Sequence, residues 1–375
     1  MRKTEKSKKK PRASVVQTSR QANSPINLMS YHNDSFFCGE MFDSLREAVP
    51  IIDAAIDKIL RLIGNVEIKC SSAEGERHLK KFLEDVQVGA SGKGMKSFLH
   101  QYLDRLLTWG TAVCEIVPFA DGTVAAIYCA NNKDIELHPT DNPLQIKICS
   151  RGVGETREVP NPERVIVTAL NPMPGEICGS SILRGLPFVS SILLKIINTI
   201  GVNWERIGNL RYAVTYKPSN NILDATLGTD TLSQISSEWS RAMNSNDGVR
   251  DFVAVGDVDI KVIGADNQIL DSEVPIRQLL EQIVAKLGIP PFMLGLSWSS
   301  TERMSQQQAD ILTSELESYR LLLNPVIKKI CLWELRNSGF GDNIKITWTD
   351  INLQDQVEKA RAELYSAQAK SISNS

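Results

Sequence analysis

The feature that most constrains this chain is its most apolar window, ILRGLPFVSSILLKIINTIGV, at residues 182–202. Apolar surface of this extent is stable only where protein or lipid covers it. A membrane span needs about 20 predominantly apolar residues in a row, and this window is interrupted by Arg184, Pro187 and Lys195. We therefore predict no membrane span, no membrane partner and a soluble protein of the cytoplasm.

Charge is distributed unevenly along the 375 residues. Residues 1–24 carry eight Lys/Arg and one Asp/Glu, whereas the rest of the chain carries 34 Lys/Arg and 43 Asp/Glu, a net charge of −9. The basic segment has few apolar side chains to offset its ordering entropy, which predicts a disordered tail over residues 1–38. This tail is either an arm that binds nucleic acid or a partner protein, or a solvated terminus that binds nothing. The acidic body should let DNA slide, because holding phosphates requires clustered cations.

Residue types that bind metals or perform catalysis are sparse. The seven cysteines include no CxxC pair, and several lie in strand-like runs, so we interpret them as core residues. The four histidines form neither HxH nor HExxH. The loop GASGKG lacks the first glycine and the hydroxyl of a phosphate-binding loop and is interpreted as a helix connector. We expect no cofactor, no metal and no catalytic residue. The remaining enzyme hypothesis is a DNA-processing enzyme with acids such as Asp134 and Asp350 near strand ends.

The first half of the chain has the pattern of an α+β lobe. Apolar residues three and four apart predict a helix over 41–63 that Pro50 kinks or divides. VEIKC predicts a strand, and helices are predicted over 74–86 and 95–109. TAVCEIVPFADGTVAAIYCA predicts a hairpin that turns at residues 120–122. The runs DIELHP, LQIKICS and ERVIVTAL are expected to extend the same sheet.

The second half is mainly helical, and its length beyond one compact core predicts two or three lobes in all. Ser180 or Ser181 is predicted to cap a helix that runs to about residue 209. A further helix is predicted within 228–245, followed by a hairpin around Gly256 and Asp257. The remaining predictions are a helix over 274–287, a long helix over 305–337 that bends at Pro325, a strand IKITW and a polar terminal helix.

Four stretches, in this order, resemble the portal (head-tail connector) proteins of tailed bacteriophages. They are LLTWGTAVCEIVPFADGTVAAI, RVIVTALNPMPGEICGSSILRGL, LLEQIVAKLGIPPFMLG and YRLLLNPVIKKICLWE. Each motif alone is loose, but four in the family's order and spacing are specific. The similarity extends from about residue 42 to residue 350.

The resemblance implies a portal-like α+β fold with an α/β wing, two stem helices, a mixed clip insert and a long bent C-terminal helix. The implied divisions are a basic tail at 1–38, the wing at 39–180, the first stem helix at 181–211, the clip at 212–272, the second stem helix at 273–291, the tunnel loop at 292–304, the return helix and wing at 305–350, and a C-terminal helix with a minimal crown at 351–375.

The resemblance also implies a function. Portal subunits form a ring, usually of twelve copies, at one capsid vertex of the virion, and a terminase packages double-stranded DNA through its channel. Implied partners are further copies of the chain, the terminase large subunit, major capsid and scaffold proteins, head-tail adaptors and non-specifically bound DNA. Before assembly the subunit is expected in the host cytoplasm. The alternative is another phage structural or adaptor protein without a DNA channel.

Three sets of site residues follow from this resemblance. The stem-helix terminator is expected at Gly288, Pro290 and Pro291, because proline removes a backbone donor and restricts the residue before it. The tunnel loop that meets DNA is expected at Leu296, Ser297, Trp298, Ser299, Ser300, Thr301 and Arg303. The subunit interface on the apolar first stem helix is expected at Phe188, Ile192, Leu193, Ile196, Ile197 and Ile200.

Overall fold

The computed structural model describes residues 35–151, 156–208, 211–216, 237, 258–263, 271–296, 302–341 and 343–351. Most of the predicted tail, the helix predicted within 228–245, most of the clip and the polar terminal helix lie outside these ranges. The architecture is that of the described residues.

The first elements form a helical layer. Helices α1 (Ser35–Ala48) and α2 (Pro50–Leu62) meet at Val49, so the prediction that Pro50 divides this region is confirmed. Proline is suited to the first turn of α2, where its missing N–H has no helical partner. Helix α1 already begins at Ser35, inside the region predicted to be a disordered tail.

A strand and two helices come next, as predicted. They are β1 (Val66–Cys70), α3 (Ala73–Asp85) and α4 (Gly94–Trp109). The GASGKG loop connects the two helices as predicted, and it contributes to a small hairpin of β2 (Gln87–Val88) and β3 (Gly92–Lys93). Gly94 has φ +78° and a Cβ there would lie 2.9 Å from the Glu84 carbonyl oxygen, so this turn requires glycine.

The main sheet has the strand order β3-β2-β5-β4-β9. Strands β4 (Thr111–Pro118) and β5 (Val124–Cys129) form the predicted hairpin. Strand β9 (Val165–Ala169) pairs antiparallel with the other edge of β4. Both edges of β4 are therefore occupied.

The prediction that all the strands between residues 135 and 169 extend this sheet is wrong for most of them. Strands β6 (Ile135–Pro139), β7 (Ile146–Arg151) and β8 (Thr156–Glu158) form a separate antiparallel sheet. Strands β6 and β7 pair with each other across the short connection at residues 140–145, and β8 pairs with β7, instead of adding to the edge at β9. A small apolar cluster of Val113, Ile148 and Val165 joins the two sheets.

The second half adds three helices and two small sheets. Helices α5 (Leu186–Gly208), α6 (Glu273–Leu287) and α7 (Glu302–Asn337) lie close to their predicted positions, and α7 continues through Pro325. Strand β10 (Arg211–Tyr216) pairs antiparallel with β11 (Val258–Ile263). The first strand and the turn of the hairpin predicted around Gly256 and Asp257 lie outside the described residues. Strand β12 (Ile344–Trp348) is the predicted IKITW strand and pairs antiparallel with β1.

One core joins these elements. It contains residues of α1 to α4 and of the main sheet, the first turns of α5, the last turns of α6 and much of α7. Two charged side chains are also buried, Arg320 and Glu334. Arg320 donates to the carbonyl oxygens of Ile63 (2.9 Å) and Thr349 (2.8 Å), to the carboxylate of Glu317, and lies over the Trp348 ring.

The approach to α5 is fixed by a backbone junction, which corrects the predicted helix start at residue 181. Ser181 is buried, donates through its hydroxyl to the Leu107 carbonyl oxygen and accepts from the Leu183 N–H. The Ser180 N–H donates to the Leu170 carbonyl oxygen at 2.7 Å. These two serines anchor a turn instead of capping the long helix, and α5 begins only at Leu186.

Candidate functional site

The long apolar helix α5 and helix α6 form an antiparallel pair. Leu186 and Leu193 at the start of α5 share the main core with Ile283 and Leu287 at the end of α6. At the other end, the last turns of α5 and the first turns of α6 line one groove. Both helices therefore extend outward from the same part of the core. Along the chain, β10 follows the far end of α5, and β11 precedes the far end of α6.

The groove between the two helices is apolar and has a volume of about 350 Å³. Its walls include Ile192, Ile196 and Ile200 of α5 and Pro275 of α6. The three isoleucines are half-buried. They lie four residues apart and so share one side of the helix, the side that faces α6.

A second apolar stripe on α5 turns away from this groove and meets its edge at Trp204, which also lines the groove. Leu194, Ile197, Gly201 and Trp204 succeed one another at spacings of three, four and three, the spacing of a helix–helix seam. All four are exposed, Ile197 to 50% and Trp204 to 65%. A Cβ on Gly201 would meet no atom within 4 Å, so another helix could approach closely there. We call these four residues the α5 seam.

The structure divides the predicted interface residues into three groups. Phe188 and Ile197 are exposed, and Ile192, Ile196 and Ile200 line the groove toward α6. Leu193 is 3% exposed and belongs to the core of its own chain, so its prediction as an interface residue is wrong. Leu194 and Trp204 of the seam were missed, although a large aromatic side chain at the end of an apolar helix was a readable signal.

Helix α5 also meets the length and composition of a membrane-crossing helix over Leu186–Glu205. The segment passes this test of length and composition despite the interruptions at Pro187 and Lys195. Most of the segment is exposed on the isolated chain. Its apolar surface therefore has room for a partner along most of its length.

The predicted helix terminator has the expected geometry. Gly288 adopts φ +68°, and its N–H donates to the Val284 carbonyl oxygen at 3.0 Å, which ends α6 in a left-handed cap. Pro290 is buried, and Pro291 begins a single 3₁₀ turn over Pro291–Leu294. Gly295 (φ +76°) ends that turn. Two left-handed glycines thus lie between α6 and Leu296, the first residue predicted to meet DNA.

The predicted tunnel loop lies mostly outside the described residues. Ser297, Trp298, Ser299, Ser300 and Thr301 fall in the gap between 296 and 302. Leu296 is half-buried behind the 3₁₀ turn, and Arg303 is exposed in the first turn of α7. Their proposed contact with DNA stays a prediction.

Metal-binding and nucleophilic groups do not converge within the described ranges. No cluster of His, Cys, Asp and Glu there could hold a metal ion. Ser338 Oγ and Glu334 Oε1 both contact Nε2 of His78, at 3.1 and 2.8 Å. A nucleophile-activating histidine needs its two partners on different ring nitrogens, so this arrangement does not activate Ser338.

Two thiols of the main sheet have raised pKa values, that of the buried Cys114 and that of the half-buried Cys129. Burial raises the pKa of Cys114 well above its usual value and raises the pKa of Cys129 to about 12. A thiol with a raised pKa stays protonated near neutral pH and is a poor nucleophile. Cys114 is a core residue, as the sequence predicted, and Cys129 is half-buried and packs against the core.

Comparison with known proteins gives structural matches alone. No protein-family model and no curated protein sequence matches the chain. A chain from the virion of a native gene transfer agent particle matches with a TM-score of 0.62 at 13% identity, over 88% of this chain and 89% of that one. A chain from the neck of the native particle, computed with C12 symmetry, matches with a TM-score of 0.60 at 14% identity, over 87% and 88%. The chain has the fold of a virion neck protein.

A further match is weaker. An HK97-family phage portal protein from Corynebacterium diphtheriae aligns with a TM-score of 0.44 at 12% identity, over 80% of this chain and 92% of that one. At this score no detail is transferred from it. The resemblance to head-tail connector proteins that the sequence motifs indicated is confirmed, at the level of the fold, by the matches to the gene transfer agent virion and neck.

Proposed function

We propose that this chain is a portal subunit: it assembles into a ring at one vertex of a phage-type capsid and encloses the channel for double-stranded DNA. The observation that carries the proposal is the α5–α6 pair. One end of each helix is packed in the core. Outside the core, α5 exposes the seam on one side, and three isoleucines on another side are only half-buried. Such surfaces require partners.

The two apolar sides of α5 suit a closed ring. A cyclic assembly needs a heterologous contact, in which one surface of each subunit meets a different surface of the next. The seam of one subunit would pack into the neighbour's groove of Ile192, Ile196 and Ile200. Twelve copies is the number we propose, in keeping with the C12 symmetry of the matched neck.

The remaining parts of the chain would take the roles that the portal resemblance implies. The wing (39–180 and 305–350) would face capsid and scaffold proteins, and the clip between the stem helices would bind the terminase during packaging and head-tail adaptors afterwards. The tunnel loop around Trp298 and Arg303 would touch the moving DNA. This role is mechanical, with no reaction catalysed by the chain itself.

Assembly tests the proposal directly. Purified protein observed by mass photometry and negative-stain microscopy should form rings with a central hole. Ile197→Asp, in the seam, and Ile196→Asp, in the groove, should leave soluble subunits that do not assemble, because a buried unpaired carboxylate is costly at an interface.

Asn198→Asp is the matched control, since it places the same charge on an exposed position of the same helix outside the seam. It should assemble normally. Rings of unchanged mass for Ile197→Asp, solid rings without a hole, or a wild-type protein that is soluble only in detergent would each contradict the proposal. The last outcome would instead support a membrane role for α5.

A further inference from the structure

Two cysteines of the main sheet lie directly opposite each other, a placement that the proposed ring does not use. In the antiparallel pair of β4 and β5, Cys114 is the partner of Cys129. The Ala130 N–H donates to the Val113 carbonyl oxygen at 2.9 Å, so the ladder hydrogen bonds lie on either side of the cysteine pair. Cys114 and Cys129 therefore form a non-hydrogen-bonded pair, the type in which facing side chains are closest.

The spacing of such a pair fits a disulfide. The Cα atoms of a non-hydrogen-bonded pair are about 4.5 Å apart, and disulfides join residues whose Cα atoms are roughly 4.4–6.8 Å apart. Side chains directly opposite each other in a ladder also share one face of the sheet. Burial is the main cause of the raised pKa of Cys114, and the nearby Cys129 thiol adds to it. The two sulfur atoms are therefore close to each other in the folded chain.

The other strand cysteines in the described ranges lack this arrangement. Cys70 is opposite Ile344 in the ladder of β1 and β12. Cys149 lies between Glu136 of β6 and Glu158 of β8. Neither has a thiol directly opposite, so the pair in the main sheet is a specific site and not a general property of strand cysteines in this chain.

The two thiols of the pair differ in their access to solvent. Cys114 is 0% exposed. Cys129 is half-buried and lines a groove of about 540 Å³ between α4 and the end of β5. Gln101 and Arg105 of α4 also line this groove. A reagent that enters the groove therefore meets Cys129, and Cys114 can react with the product through its partner.

We propose that Cys114 and Cys129 are a modification site, which a small disulfide such as glutathione disulfide converts to a disulfide between β4 and β5. In the first step the Cys129 sulfur attacks one sulfur of the reagent, forms a mixed disulfide and releases one glutathione thiol. In the second step the Cys114 sulfur attacks the Cys129 sulfur, and the second glutathione leaves as a thiol. The two protein thiols lose two protons and two electrons, and the reagent takes them up.

The surroundings of the protein decide the state of this site. Burial raises the pKa of Cys129 to about 12, so little thiolate is present near neutral pH and the exchange is slow. The pair stays reduced in a reducing cytoplasm and becomes linked in an oxidising solution. For a virion subunit the change would follow release from the cell. This timing alone rests on the proposed function, because both thiols belong to one chain.

Mass spectrometry of the full-length protein tests the proposal. The folded protein is incubated with glutathione disulfide at mildly alkaline pH and quenched with acid, and the remaining thiols are alkylated before digestion. The digest should contain a peptide pair linked through Cys114 and Cys129. Cys178→Ser is the control, because it removes a half-buried cysteine outside the pair, and it should leave the yield of this link unchanged.

Single variants separate the two steps. Cys114→Ser should stop the reaction at the mixed disulfide, so that glutathione stays attached to Cys129. Cys129→Ser should carry no glutathione on Cys114, because that sulfur is buried. Circular dichroism checks that both variants are folded.

The rate of linkage gives a further measurement. It should rise about tenfold per pH unit from about pH 7 to pH 10, because the Cys129 thiolate is still a minor species there. The proposal is overturned if the folded wild type yields no linked pair, or if the link forms only after unfolding in urea. It is also overturned if Cys114→Ser carries no glutathione on Cys129, or if the rate levels off near pH 8.5, about the pKa of an exposed thiol.

Discussion

At the scale of single residues, the least expected feature is Arg320. It is 2% exposed, and its guanidinium joins the end of α2, the segment after β12 and α7 through bonds to Ile63, Thr349 and Glu317. No local pattern in the sequence predicts this, because two of the three partners are distant along the chain. Gly64 next to it has φ +84°, and a Cβ there would lie 2.6 Å from the guanidinium.

Replacing Arg320 by methionine should therefore destabilise the fold. The substitution leaves two carbonyl oxygens near the core without their donor, which we expect to lower the free energy of unfolding by about 2–4 kcal/mol. Urea unfolding followed by circular dichroism measures the change. Glu317→Gln is the control, because Glu317 is exposed and its loss should cost less than about 1 kcal/mol. Equal midpoints for the two variants would show that Arg320 contributes little.

At the scale of elements, helices were predicted better than sheets. Apolar spacing and prolines located α2, α4 and α6 to within a residue or two at most ends, because these are local signals. The partition of strands into two sheets was missed, since it depends on which strands pair with one another, and no local pattern decides that. The start of α5 was misplaced because Ser180 and Ser181 bond to distant backbone groups, a choice that no local capping rule contains.

The C-terminal cap of α6 gives a prediction at this scale. Gly288 has φ +68°, and a Cβ added there would meet no atom within 4 Å, so the cost of replacing it is conformational and not steric. Gly288→Val should lower the free energy of unfolding by about 1–2 kcal/mol, whereas Gly288→Asn should cost clearly less, because asparagine tolerates this region. Thermal unfolding compares the two. A valine variant as stable as the asparagine variant would contradict the assignment.

At the scale of the whole molecule, the separation of charge matters most. Eight of the basic residues lie in the first 24 positions, and the remaining chain is acidic. If the tail supplies the contacts to DNA, the Lys8→Gln/Lys9→Gln/Lys10→Gln variant should bind DNA with a shallower salt dependence. Its slope of log affinity against log salt should fall by about 2.7, at about 0.9 per lost contact to a duplex phosphate.

Filter binding over a range of salt concentrations measures that slope. The matched control is Lys80→Gln/Lys81→Gln/Lys96→Gln, three exposed lysines on the acidic body, which should leave the slope unchanged. The idea fails if the two triple variants behave alike. Weak binding by the body would agree with a channel wall that does not retain the polyanion passing through it.

The junction before α5 has a mechanical consequence. The Ser180 and Ile182 N–H groups donate to the carbonyl oxygens of Leu170 (2.7 Å) and Leu107 (3.2 Å), and the Leu170 N–H donates to the Gly110 carbonyl oxygen (2.7 Å). A Cβ on Gly179 would lie 2.1 Å from that Gly110 oxygen. A pull along α5 would load these bonds, because they connect the segment before the helix to the globular body. Tension would thus enter the globular body where two segments of the chain, at Gly110 and Gly179, cross in close contact. Any larger side chain at Gly179 would loosen that attachment.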